Sequence, residues 1–240
     1  MNPALVASGP SCCHPCEVKP RSLLWLVPAL TLVSSCETAT KRARSGATVT
    51  VEPEAVSDAW KRVATAADQD RLNRLDLAWL QALTEAKERR SKEVNSEGDL
   101  LKPRIALPRP EPTPGSYNCR MISLGRIEGK PPAIEKFKPF FCYVLSDDAG
   151  ALTIVKQTGS RRPAGRLWDD DNPARMIFLG SLALGDEKEP MAYGEDPARD
   201  TAGVLERIGP FKWRLVIPWP RSGAKLEVFE LTPVADQPEG

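Results

Sequence analysis

Histidine is nearly missing from this chain of 240 residues: the single one is His14. It lies in a leader that the sequence marks for removal. The mature chain therefore cannot build a Ser-His-Asp or Cys-His catalytic group, or a histidine-ligated zinc site. Any catalysis would rest on Asp, Glu, Lys, Tyr or a Ser–Lys pair. An excess of one charge is missing too. The 33 Lys and Arg are matched by 32 Asp and Glu, for a formal net charge of +1. Nucleic-acid binders draw much of their affinity from neutralising phosphates, so no nucleic-acid partner is expected. No apolar run approaches the ~20 residues that span a bilayer as a helix. There is no Walker loop, no G-x-S-x-G and no paired CxxC. Proline, by contrast, is abundant, with 23 residues, and it keeps the elements short.

The N-terminus reads as an address. Lys19 and Arg21 precede an apolar run at 23–33, and the small residues Ser34 and Ser35 lead to Cys36. A charged region, an apolar region and small residues before a cut describe a secretory signal. Val33-Ser34-Ser35-Cys36 also resembles the lipobox of bacterial lipoproteins, which implies cleavage before Cys36 and lipid on that cysteine. Glu37 stands where Asp is associated with inner-membrane retention, so the resemblance implies the periplasmic face of the outer membrane. An ordinary secretory signal, giving a soluble periplasmic protein, or a tethering helix with Cys36 incidental, is the alternative. Cys12-Cys13-His14-Pro15-Cys16 has metal-ligand residue types but no second cluster to complete a tetrahedral site, so no metal is expected. The reading is then a leader at 1–36, a flexible tether at 37–56, a helical segment and crossing at 57–115, a β domain at 116–234 and a disordered tail at 235–240.

Ser57 or Asp58 can cap a short turn carrying Trp60 and Val63. Thr65-Ala66-Ala67-Asp68 approximates a capping box and predicts one helix that fades near Arg90. Leu72, Leu75, Trp79, Leu83 and Ala86 recur at helical steps, with Leu80 and Ala82 widening the stripe. That face is expected to pack on a sheet. Pro103, Pro108, Pro110, Pro112 and Pro114 then exclude helix and central strand, leaving an extended crossing.

The stretch 208–220 sets Phe211, Trp213, Leu215, Ile217 and Trp219 at every second position, the mark of a strand with one buried face. Eight strands are predicted, at 116–124, 140–146, 152–158, 163–168, 175–184, 204–208, 211–218 and 225–232. Short strands at this spacing without helices between them indicate an antiparallel barrel or sandwich. The α+β fold class follows, with the N-terminal helical segment packed on a mostly meander, lipocalin-like β-barrel, or on a β-sandwich. Eight strands favour the barrel, whose interior is just filled or holds one small ligand. Cys119 and Cys142 fall in adjacent strands, and in an oxidising compartment they are expected to form a disulfide.

Several groups can carry chemistry. With a two-residue turn at Gly209–Pro210, Glu206 pairs with Trp213 and shares a face with Val204, Phe211 and Leu215. A carboxylate there must find a cation, or titrate upward, and is a candidate for binding a ligand. A structural Glu paired with Arg, or a register that turns Glu206 outward, is the plainer alternative. The hairpin around Thr158, Gly159, Ser160, Arg161 and Arg162 offers backbone N–H groups and two guanidiniums to an anion, or is a solvated tip. Trp168-Asp169-Asp170-Asp171-Asn172 is rich in oxygen but lacks the spacing of a calcium loop and reads as a turn. Ser222-Gly223-Ala224-Lys225 matches S-x-x-K without the companion elements of that enzyme class, so it carries no weight.

Taken together, Tyr117-Asn118-Cys119-Arg120, Phe141-Cys142, Thr158 to Gly165, Phe178-Leu179-Gly180, Tyr193-Gly194, Arg199 to Gly203, Glu206 to Gly209 and Trp213-Arg214-Leu215 resemble domain-of-unknown-function family 4893. The family occurs in exported proteins of alphaproteobacteria, and the resemblance runs from about Trp60 to Pro233. It implies export and carries over no known activity. The expected function is a non-catalytic cell-envelope binding module, for a small ligand or an envelope protein, without cofactor. The alternatives are a hydrolase with a carboxylate site and a purely structural envelope protein.

Overall fold

The computed structural model describes residues 58–126 and 133–235. The leader at 1–36 with Cys36 and its cysteine–histidine cluster, the tether at 37–56 and residues 236–240 lie outside the described residues. Trp60 anchors α1 (Ala59–Val63): it is buried, and its indole donates to Asp170 Oδ1 at 3.0 Å. α2 (Ala66–Asn73) starts where Thr65 Oγ1 accepts the Asp68 N–H, with the Asp68 carboxylate in the first turn as the helix dipole favours. Arg74 leaves helical geometry at φ −98°, ψ 19°, so the one helix predicted from Thr65 is in fact two. α3 (Leu75–Ser96) kinks at Arg90 and runs on past it. Leu72, Leu75, Trp79, Ala82 and Ala86 are buried as the stripe requires. Leu80 is 65% exposed, because it lies about 100° round the helix from Trp79. A 3-10 turn (Gly98–Leu101) closes the helical segment.

Among the described residues nine strands follow: β1 (Gly115–Leu124), β2 (Ile134–Lys136), β3 (Phe140–Ser146), β4 (Leu152–Lys156), β5 (Arg161–Asp169), β6 (Arg175–Leu184), β7 (Asp200–Gly209), β8 (Lys212–Pro218) and β9 (Leu226–Pro233). Every pairing is antiparallel, and β1 pairs with both β3 and β9. The sheet therefore closes into an eight-stranded barrel of β1 and β3–β9 in meander order. The short β2 takes over beside the end of β1, where β3 has left it. Inside the barrel pack Tyr117, Val144, Ile154, Phe178, Leu215 and Phe229. Outward residues of β1 and β6–β9, among them Ile177, Val204, Val216 and Val228, form a second core with the helices. Gly165 on β5 and Gly180 on β6 face each other so closely that a Cβ on Gly165 would lie 2.4 Å from the Gly180 Cα.

Cys119 and Cys142 are joined in a disulfide, Cα atoms 6.0 Å apart, inside the barrel between β1 and β3. At a sequence separation of 23, such a bridge contributes on the order of 3 kcal/mol by restricting the unfolded chain.

The proline-rich crossing seals one end of the barrel. Leu107 bridges to Arg207 on β7, and the Arg207 guanidinium donates to Pro108 O. Two inward aromatics place their polar tips on the same segment: Trp213 Nε1 donates to Pro110 O at 2.8 Å and Tyr117 OH to Thr113 O at 2.6 Å. The segment thus satisfies buried donors that the barrel alone would leave without partners.

Candidate site at the open end of the barrel

Among the described residues, nothing closes the other end. A cavity of about 350 Å³ lies there, lined by residues from β1, β4–β9 and their connections. Met121, Phe137, Leu182, Ile217 and Phe229 supply its apolar wall. Lys156, Ser160, Arg161, Arg221, Ser222 and Glu227 supply its polar groups. Below it the interior is filled: Cys142, Ile154, Phe178, Leu215 and Leu231 border a remaining space of only about 10 Å³. A ligand would therefore sit in the mouth and not along the barrel axis.

Strand alternation places each polar group. On β9, Leu226 and Val228 point outward to the helices, so Glu227 points inward, in phase with Phe229 and Leu231. It sits opposite Ile217 on β8 and Ser123 on β1. Burial pushes the Glu227 carboxyl above the usual carboxylate range, while a hydrogen bond from Ser222 and the charges of Arg161 and Lys156 pull the other way. Lys156 ends β4 on the inner side. Its Nζ donates to Arg161 O at 3.1 Å and stands 4.5 Å from the centre of the Phe140 ring. Burial holds this ammonium below the usual lysine value; Glu227 opposes that shift and the two neighbouring arginines reinforce it. Arg221 reaches back to Pro197 O and ties the 219–225 connection to the 185–199 connection.

The residues singled out by the sequence separate into two groups. Ser160 and Arg161 line the cavity. Thr158 is exposed on the hairpin tip between β4 and β5 and is not part of the lining. Arg162 points to the outside, where its guanidinium donates to Gly159 O and Gly185 O, both at 2.7 Å, and to Glu187 O, so it fixes the tip in place. Trp213 belongs to the sealed end.

Glu206 is on the outer wall. The β7–β8 turn sits one residue later than predicted: Gly209 pairs with Lys212, and Phe211 takes the second corner at φ 51°, 74% exposed. Proline suits the first corner of such a turn, which is where Pro210 stands. With a register shift between Arg207 and Gly209, Glu206 pairs with Arg214, not Trp213, and accepts from its Nε at 2.7 Å. Arg214 is fully buried, donates to Leu100 O at 3.0 Å and Lys102 O at 2.7 Å, and lies 4.9 Å over the Trp79 ring. Glu206 and Arg214 together hold the helical segment on the barrel.

The acidic turn after Trp168 is used in the same structural way. Asp170 accepts from Trp60 and from Arg175 at 2.5 Å, and Asp171 pairs with Lys61 at 2.8 Å. The S-x-x-K residues part company: Ser222 lines the cavity and Lys225 lies in a surface groove beside Leu80 and Thr84. Glu227 is the functional candidate that sequence reasoning missed. Its only signal was being in phase with Phe229 and Leu231.

A family model described as a domain of unknown function (DUF4893) matches residues 60–231, from α1 to the inner face of β9. No curated protein and no solved structure matches the chain.

Proposed function

The chain belongs to the DUF4893 family, and from its geometry we propose that it is a non-catalytic binding module of the cell envelope that takes a small ligand into the barrel mouth. The observation that carries this reading is the cavity of about 350 Å³, sealed below by a packed interior and lined by both apolar and charged groups. Pockets for small molecules are typically ~300–1,000 Å³, mostly apolar, with a few placed polar groups. One end of the barrel is stopped by the proline-rich crossing, so among the described residues a ligand approaches from the other. The lipobox-like run ending in Cys36 supports export and a lipid anchor on the periplasmic face of the outer membrane. The +1 net charge gives no reason to add a nucleic-acid partner.

The test is a native mass spectrum of the full chain extracted gently from its own envelope, beside the Ser160→Trp variant. Ser160 is exposed on the rim, so the indole narrows the mouth without entering a packed core. We expect a diacyl or triacyl mass on Cys36 and a small non-covalent mass that the variant loses. A lipidated chain with nothing bound would turn the search to a protein partner. An unmodified Cys36 would remove the anchor.

A further inference from the structure

We infer that the mouth binds a compact carboxylic acid, one carboxylate on a short apolar body, with the carboxylate held by Lys156 and Arg161. This deepens the binding reading above and rests on it. The argument begins with charge. Lys156, Arg161 and Arg221 face the cavity against one carboxylate, Glu227. The Arg221 guanidinium donates to Pro197 O and its charge acts on the Asp200 carboxylate, while Glu227 has Ser222 as its hydrogen-bond partner. Among the described residues, neither Lys156 nor Arg161 makes an ion pair within 4.0 Å. The side-chain partners of Lys156 are one backbone carbonyl and one aromatic face. An ammonium has three donors and a guanidinium five in a planar fork, so both retain unused donors at the mouth.

With the charge of Arg221 set against Asp200, the remaining two cations and one carboxylate leave an excess of +1 beside the apolar wall. A monoanion neutralises it. A cationic ligand would add to it, and a dianion would set extra negative charge against Glu227. If Glu227 holds its proton the excess is larger and of the same sign, and its O–H becomes a further donor to a carboxylate oxygen. The body must be apolar, because Met121, Phe137, Leu182, Ile217 and Phe229 face it. It must also be short, because the filled interior below leaves only about 10 Å³.

Three probes of one length separate the claims: octanoate, octan-1-ol and octylammonium, titrated calorimetrically into the full chain. We expect octanoate to bind at least tenfold more tightly than either of the others. Lys156→Met with Arg161→Met should abolish that preference, and Ser160→Trp should weaken octanoate binding. Octanol or octylammonium binding as tightly as octanoate would overturn the carboxylate assignment and leave the cavity reading standing. Octanoate binding unchanged by Ser160→Trp would overturn the site. Binding of none of the three would overturn the ligand class. The binding reading itself falls only if the extracted protein also carries no molecule. The comparison among probes uses the unaltered protein, so it decides the matter even if the double variant does not fold.

Discussion

At the scale of single residues, Glu227 and Glu206 show how the same side chain serves opposite ends. Glu206 has its cation at 2.7 Å. Glu227 has two cations nearby but, among the described residues, no ion pair within 4.0 Å, and burial raises its pKa. A carboxyl with a raised folded-state pKa binds more protons folded than unfolded. Its contribution to stability is intact below the unfolded value and is lost as pH rises through the folded one. Glu227→Gln removes that loss. The variant should match the parent near pH 4 and melt higher near pH 8, where a gain of about 1 kcal/mol would appear as about 2–4 °C for a domain of this size. Thermal melts of the two proteins across that range provide the check. A parent that is the more stable at pH 8 would mean that Arg161 and Lys156 already stabilise the ionised form.

At the scale of elements, the Glu206–Arg214 pair joins three of them: β7, β8 and the 3-10 turn whose carbonyls Arg214 caps. Removing one partner of a buried pair leaves the other charge without compensation, at a cost of roughly 3–5 kcal/mol. Glu206→Gln should therefore lower the Tm by about 10 °C, and Glu206→Leu combined with Arg214→Met should recover most of it. A rise in Tm for Glu206→Gln would instead mark Glu206 as a strained group kept for function. The sequence misled on this pair through the turn and the irregularity beside it. Reading Gly209–Pro210 as the two corners, in place of Pro210–Phe211, and leaving out the register shift between Arg207 and Gly209, misplaces β7 by one residue against β8 and puts Glu206 on the inner face. β8 could be read as a strand from Trp213, Leu215 and Ile217. Its partners on β7 could not, because β7 is buried on both faces and has no polar face to set the phase. Glu227 escaped notice for the same reason. It sits in a strand whose outward residues, Leu226 and Val228, are as apolar as its inward ones.

At the scale of the molecule, strand number and spacing were legible and closure was not. The pairing that closes the barrel joins Tyr117 to Pro233 and Leu124 to Leu226. No local pattern reports a contact between segments so far apart in sequence. The three-residue β2 is likewise too short to show a period. The helices were readable as an apolar stripe needing a sheet. The finding that they cover the outside of the barrel, and leave its interior and mouth free, follows from the two separate cores. This arrangement has a consequence for unfolding. Val204, Val216 and Val228 each lie one residue from an inward side chain of the same strand, so helix cover and barrel filling depend on the same backbone. The two cores should therefore melt together. Variants that keep only Trp79, in the helical core, or only Trp213, at the sealed barrel end, report the two separately by fluorescence. Coincident midpoints in urea are expected, as for a two-state domain. If Trp79 becomes exposed at lower urea than Trp213, the helical segment comes away first, and the barrel wall with its valines must then be stable in water by itself.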